Sequence, residues 1–186
     1  STPLYSSAAS DVYKRQVPGL SDLHVHAPQY AYRGLGMDME LLEWLETYAF
    51  PEESGYKEPA YADKAYSMFV QDLKYSPTTR FCAFATIHTS ATLKLMALLE
   101  NSGLKGYVGK VNMDRNSPDY YCEESAEASL EATREWLMQS EQFHNVRPII
   151  TPRFTPSCTD ALMMGLGTIA SETVSYTHLT LPTNRE

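Results

Sequence analysis

Along residues 17–173, short runs of β-favouring residues alternate with longer stretches whose apolar positions recur every three or four residues. Such alternation predicts successive βα units on a parallel sheet, and four are visible. The first strand is expected from Val17 to Ala27. A longer insertion follows, with one helix from Met39 to Tyr48 and a second from Ala60 to Tyr75. In the second, Ala62, Ala65, Tyr66, Phe69, Val70 and Leu73 form one apolar face. Thr79 to Ile87 is rich in aromatic and β-favouring residues and predicts the second strand. A helix from Thr89 to Ser102 is stopped by Gly103. The third strand, Gly106 to Met113, leads through a loop at Pro118 to a helix from Ser125 to Phe143. The fourth, Arg147 to Phe154, precedes a helix opening at Ser157, where Ser157 and Asp160 have the spacing of a capping box. The helix from Ser125 is expected to carry a solvated face made of Glu123, Glu124, Glu127, Glu131 and Glu135, with Leu130 and Leu137 turned inward.

No internal repeat or low-complexity linker marks a boundary within these residues. The 186-residue chain is long enough for one compact domain, or for about half of a (β/α)8 barrel, which needs ~250 residues. A net charge of -8 argues against a nucleic-acid backbone as partner, and no apolar run is long enough to span a bilayer. Cys82, Cys122 and Cys158 are odd in number, widely spaced and without a Cys-x-x-Cys pair, so they are expected to be reduced thiols in a cytoplasmic protein.

The two ends break the pattern. Asp11-Val12-Tyr13-Lys14-Arg15-Gln16 can be encoded by GAT GTG TAT AAG AGA CAG, and the reverse complement of that string, read one frame over, encodes Val174-Ser175-Tyr176-Thr177-His178. One inverted DNA repeat therefore accounts for both ends. Residues 1–16 and 174–186 are expected to be adapter-like, non-native sequence, leaving 17–173 as the segment that carries function.

The sharpest motif is Pro18-Gly19-Leu20-Ser21-Asp22-Leu23-His24-Val25-His26. Side chains two apart on a strand share a face, so His24 and His26 can approach one divalent ion such as zinc. A bare His-x-His on a strand is more often a pair of satisfied polar residues. The surrounding residues change the balance, because Pro-Gly-x-x-Asp-x-His-x-His resembles the first-strand signature of the amidohydrolase superfamily. The His-x-Glu and Pro-Cys-x-x-Cys pattern of the unrelated cytidine-deaminase-type zinc enzymes is missing.

Ala27-Pro28-Gln29-Tyr30, Leu41-Leu42-Glu43-Trp44-Leu45, Tyr48-Ala49-Phe50-Pro51-Glu52, Phe84-Ala85-Thr86-Ile87-His88-Thr89, Val108-Gly109-Lys110-Val111 and Thr151-Pro152-Arg153-Phe154 narrow the resemblance to the guanine deaminase branch of that superfamily. The resemblance implies an α/β fold, a partial (β/α)8 TIM-type barrel of about the first four βα units. It also implies Zn2+ as cofactor, held in part by His24 and His26, guanine as small-molecule substrate, and a homodimer for the full-length protein. Gln29 and Arg153 would hydrogen-bond the purine edge and Phe154 would line the pocket beside the base. Those roles suit an amide that both donates and accepts, a rigid fork of donors, and an aromatic face. Taken without the resemblance, the same residues read as a surface amide, a surface cation and a core ring.

His88 receives no ligand role from the resemblance and is expected to be structural. Asp114 and Arg115, after the third strand, would lie on the active face without an assigned task. The family's proton-shuttling glutamate, two further histidines and an aspartate would come from later strands, and none falls within residues 17–173. Thr177-His178-Leu179 imitates the fifth-strand motif, but the glutamate position three residues on is Leu181. Two other readings share the His-x-His motif: a sister deaminase acting on another purine, a pyrimidine or a triazine, and a non-catalytic metal- or purine-binding module.

Overall fold

The computed structural model describes residues 17–173. The adapter-like segments 1–16 and 174–186, with His178 and Leu181, lie outside the described residues. Four parallel strands form the main sheet in the order β1-β2-β3-β5, with β1 at Leu20–His26, β2 at Thr78–Phe84, β3 at Lys105–Gly109 and β5 at Val146–Pro148. Beyond Lys110 the third strand resumes as β4, Val111–Asn112, and beyond Ile150 the fourth resumes as β6, Thr151–Pro152. These two short pieces pair with each other in parallel, Val111 opposite Thr151 and Asn112 opposite Pro152. The four predicted strands are therefore all present, two of them interrupted near their C-terminal ends.

Helices cover the connections. α1, Leu41–Trp44, runs through a π-helical turn, Leu45–Ala49, into α2, Phe50–Gly55. This replaces the single helix expected to stop at Tyr48. The wide turn has a local cause, since Pro51 carries no N–H and its ring crowds the carbonyl four residues earlier. α3, Pro59–Tyr75, starts on a proline at its first position, where the missing donor costs nothing, and buries Ala62, Tyr66, Phe69, Val70 and Leu73 as the periodicity predicts. α4, Thr89–Ser102, ends where Gly103 takes a left-handed φ of 78°. α5, Ala126–Ser140, is capped by Ser125, whose hydroxyl accepts from the Ala128 N–H at 3.1 Å.

α6, Asp160–Thr173, corrects the expected capping box. Ser157 belongs to a 3-10 turn, Thr155–Ser157, and donates its hydroxyl to the Phe154 carbonyl at 3.0 Å. The cap is Thr159, whose hydroxyl oxygen accepts from the Leu162 N–H at 3.2 Å. Thr159 is itself held by Asp114, which accepts its N–H at 2.7 Å and its hydroxyl at 2.5 Å.

The larger core lies between the sheet and the helices, built on Phe81, Val108, Leu95, Met96, Trp136 and Ile150. A second cluster, including Tyr32, Phe50, Phe84, Val111, Met113 and Tyr121, gathers on the other side, at the C-terminal ends of the strands. Glu100 braces the edge of this arrangement: its carboxylate accepts the backbone N–H groups of Asn145 at 2.9 Å and Val146 at 3.0 Å, fixing the entry to β5. Among the described residues no helix is long and apolar enough to cross a membrane.

Among the described residues, β1 and β5 each have a single hydrogen-bonded neighbour in the main sheet. β1 is also poorly covered, with Leu20 56% and Leu23 67% exposed. An exposed, apolar edge strand is a template for pairing with another chain. The isolated chain is expected to self-associate at micromolar concentration, and Leu23→Lys is expected to shift it toward monomer in sedimentation velocity. Unchanged association in that variant would show that the β1 edge is not the contact.

Candidate functional site

β1 delivers His24 and His26 to the C-terminal end of the sheet, where barrel enzymes place their reactive groups. Their ring centroids are 5.2 Å apart. Both lean on Phe84 at the end of β2: His26 stacks on it at 4.6 Å and 17°, and His24 lies 5.0 Å from it. The Asp22 carboxylate accepts the backbone N–H of His24 at 3.2 Å and restrains the strand one residue before it turns toward the site. Two imidazoles on one strand face suit a borderline ion such as zinc. Among the described residues there is no group of three or more His, Cys, Asp and Glu side chains placed to hold a metal. A catalytic zinc centre needs about three protein ligands, so the pair fits part of such a centre.

The strongest electrostatic feature was not anticipated. Glu53, on α2, is fully buried with its carboxylate surrounded by donors. Its Oε1 accepts from Arg153 Nη2 at 3.1 Å and from Gln29 Nε2 at 3.2 Å. Its Oε2 accepts from the Tyr121 hydroxyl at 2.9 Å and from Arg153 Nη1. Arg153 follows β6 and is 3% exposed, with its guanidinium 5.1 Å from the Phe50 ring centroid. Burial alone would depress the Arg153 pKa, but the Glu53 charge beside it outweighs that and raises it. Burial, reinforced by Glu53, also pushes the Tyr121 phenol well above its ordinary range, so it stays a donor.

Gln29 and Arg153 thus meet at one carboxylate although they are far apart in the chain. Phe154 comes directly after Arg153 and is partly exposed. Once Arg153 is buried it needs an acidic partner. Nothing in Pro51-Glu52-Glu53-Ser54 says which glutamate it is.

Glu123 differs from the expected solvated face. Glu123 and Glu124 both precede α5; Glu124 is exposed, and Glu127, Glu131 and Glu135 form the helix's solvated face. The Glu123 carboxylate accepts from the buried Lys110 ammonium at 2.5 Å, the Ser129 hydroxyl at 2.5 Å and the Met113 N–H at 3.0 Å. Lys110 sits at the interruption between β3 and β4, so this pair stabilises the break. Of the inward leucines, Leu137 is buried and Leu130 partly so.

Asp114 and Arg115 act as clamps. Asp114 holds Thr159, and Arg115 donates to the carbonyls of Pro156 and Thr155, each at 3.2 Å. His88 caps the start of α4 with its carbonyl, which accepts the Thr92 N–H and hydroxyl at 3.0 Å, and its ring centroid lies 5.9 Å from that of Tyr121. Burial lowers the His88 pKa, a hydrogen bond to the Ser54 backbone opposes this, and the charges of Lys57 and Lys110 add to the lowering.

A parallel α/β sheet that gathers imidazole, amide and guanidinium groups at the C-terminal ends of its strands is the architecture of a (β/α)-barrel enzyme. Comparison with known proteins makes the assignment specific: a family model described as the amidohydrolase family matches residues 16–179. The chain belongs to the amidohydrolase family. It is 43% identical over 167 residues to guanine deaminase of Dictyostelium discoideum, covering 88% of this chain and 37% of that protein. It is 40% identical over 158 residues to guanine deaminase of Homo sapiens, covering 83% of this chain and 34% of that protein. The crystal structure of guanine deaminase from C. acetobutylicum, with guanine bound in its active site, superposes with a TM-score of 0.87 at 45% identity, covering 90% of this chain and 40% of that one. The chain therefore spans under half the length of these relatives, and a partial barrel is what it shares with them.

Two expected outcomes follow from the electrostatics. Because the His88 pKa is lowered on folding, the unfolded chain binds more protons between the folded value and the ordinary 6.5. Stability contributed by neutral His88 is therefore present above that window and lost as pH falls through it. The urea midpoint of the wild type should drop between pH 7.5 and 5 more steeply than that of His88→Gln; equal slopes would rule His88 out. Arg153→Met should cost ~3–5 kcal/mol by stranding the Glu53 charge, with most of it recovered in Glu53→Gln/Arg153→Met. A double variant no more stable than the single one would contradict a coupled pair.

Proposed function

We propose that this chain is the ligand-donating and base-recognising portion of a guanine deaminase, which converts guanine and water to xanthine and ammonia. The observation that carries this reading is the junction at Glu53, which brings Gln29 and Arg153 together at the same end of the sheet as His24 and His26. Identity of 40–45% to guanine deaminases over most of the chain supports it.

In this reading His24 and His26 are two of the ligands of a zinc ion. When bound, the ion supplies Lewis acidity and a water activated for attack on C2 of the base. Phe84 holds both imidazoles in place by ring contact. Arg153 offers the base the donors not used by Glu53, Gln29 offers a carbonyl oxygen, and Phe154 lies against the flat face of the ring. Arg153 and Glu53 are themselves buried, which strengthens the hydrogen bonds they make. The proton transfers that release ammonia need a general acid and base that residues 17–173 do not contribute.

The test is a closed barrel in which residues 17–173 replace the matching part of the C. acetobutylicum enzyme. The hybrid is expected to produce xanthine from guanine, while the 186-residue chain alone is expected to release no ammonia. Arg153→Lys keeps a charge for Glu53 but loses the fork, and should lower kcat/KM for guanine by roughly 10- to 100-fold, the equivalent of one charged hydrogen bond. A folded hybrid that acts on another purine, a pyrimidine or a triazine and not on guanine would move the substrate assignment to a sister deaminase.

A further inference from the structure

We infer that Glu53 is a positioning residue that sets the hydrogen-bonding polarity of the pocket, so that it accepts a purine with a ring N–H beside a carbonyl and refuses one with the reverse pattern. The inference rests on the reading that Gln29 and Arg153 face the base.

A carboxylate can only accept, and a glutamine amide presents either an NH2 group or an oxygen. With Glu53 ionised, the Gln29 amide can meet it only through Nε2, which is the contact observed at 3.2 Å. Oε1 of Gln29 is then the amide's free acceptor. Arg153 has no acceptor at all, and its two terminal nitrogens each give one hydrogen to Glu53. Nε and the second hydrogens of Nη1 and Nη2 are left for a ligand. The Tyr121 hydroxyl takes the remaining direction on Oε2 and prevents the carboxylate from turning. One buried acid therefore fixes which way the Gln29 amide faces and holds the Arg153 fork in place.

Guanine carries N1–H next to the C6 carbonyl, which matches an acceptor beside a donor. Adenine carries a bare N1 next to an amino group, which would set acceptor against acceptor at Gln29 and donor against donor at Arg153. A pocket whose polar groups are left unpaired by the wrong ligand discriminates far more strongly than one that merely excludes by size. The discrimination would then reside in Glu53, which contacts no part of the base.

The experiment uses the closed-barrel hybrid and reads one ratio, the inhibition constant of adenine over the KM of guanine. In Glu53→Gln the side chain at 53 offers an NH2 group as well as an oxygen, so the Gln29 amide is free to turn over and present NH2 to the ligand. The ratio should fall tenfold or more. A loss of kcat with both affinities reduced in parallel and the ratio unchanged would mean that Glu53 is only structural and would overturn the inference. Tyr121→Phe keeps the ring in the core and removes one of the four donors; it should lower the ratio about threefold in a hybrid that remains folded by circular dichroism. If Glu53→Gln does not fold, an unchanged ratio in Tyr121→Phe overturns the inference by itself. A hybrid carrying the unaltered segment that folds but does not act on guanine refutes the underlying reading, whereas guanine turnover with an unchanged ratio in the variants refutes only the role of Glu53.

Discussion

A carboxylate removed from water is destabilised by several kcal/mol unless donors replace the solvent it has lost. Glu53 meets that requirement with four donors drawn from three distant parts of the chain: the 3-10 turn after β1, the loop before α5, and the end of β6. Each of these segments is short and irregular, so none is held in place by a regular backbone ladder of its own. Their common attachment to one acid is what gives the C-terminal face of the sheet a defined shape. The ring cluster of Tyr32, Phe50, Phe84 and Tyr121 packs around the same point and excludes the water that would otherwise compete. A hydrogen-bonded ion pair and an apolar cluster usually act against each other. Here the rings lower the local dielectric and strengthen the pair, while the pair orients the segments that carry the rings.

The regular elements could be read from the sequence because periodicity and stop signals act locally. Gly103 at a helix end, Ser125 at a helix start and the apolar face of α3 all do what their local chemistry dictates. Three features escaped because their causes are long-range. The strand breaks follow Gly109 and Pro148, and the first is held by the Lys110 ion pair with Glu123, which comes from the far side of a loop. Glu123 has the spacing of a solvated helix face, and only the lysine buried thirteen residues earlier draws it inward. Ser157 and Asp160 have capping-box spacing, yet Thr159 wins the cap because Asp114 has already fixed its orientation. The His24-x-His26 pair was visible as a motif. Gln29 and Arg153 were singled out only by resemblance, and the acid that joins them was visible by neither route.

The site is divided unevenly between kinds of scaffold. His24 and His26 stand on β1, whose pairing with β2 slips by one residue between Asp22 and Val25, whereas Gln29 lies in a 3-10 turn and Arg153 just past a two-residue strand. Strand positions are precise without further help, but turn positions need tethers. The tethering carboxylate Glu53 accordingly serves the turn residues, while both imidazoles on β1 lean on Phe84.

β1, with one bonded neighbour, has a further consequence for the imidazoles it carries. A strand held on one side frays more readily than one held on both, and an ion bound by its residues must bear the cost of holding it still. Ion affinity and the pairing of β1 with a second neighbour are then two ends of one thermodynamic cycle. If these two histidines hold an ion, a strand docked along that edge would tighten the ion, and the ion would tighten the docking by the same factor. Their affinity for an ion would then report on closure of the sheet.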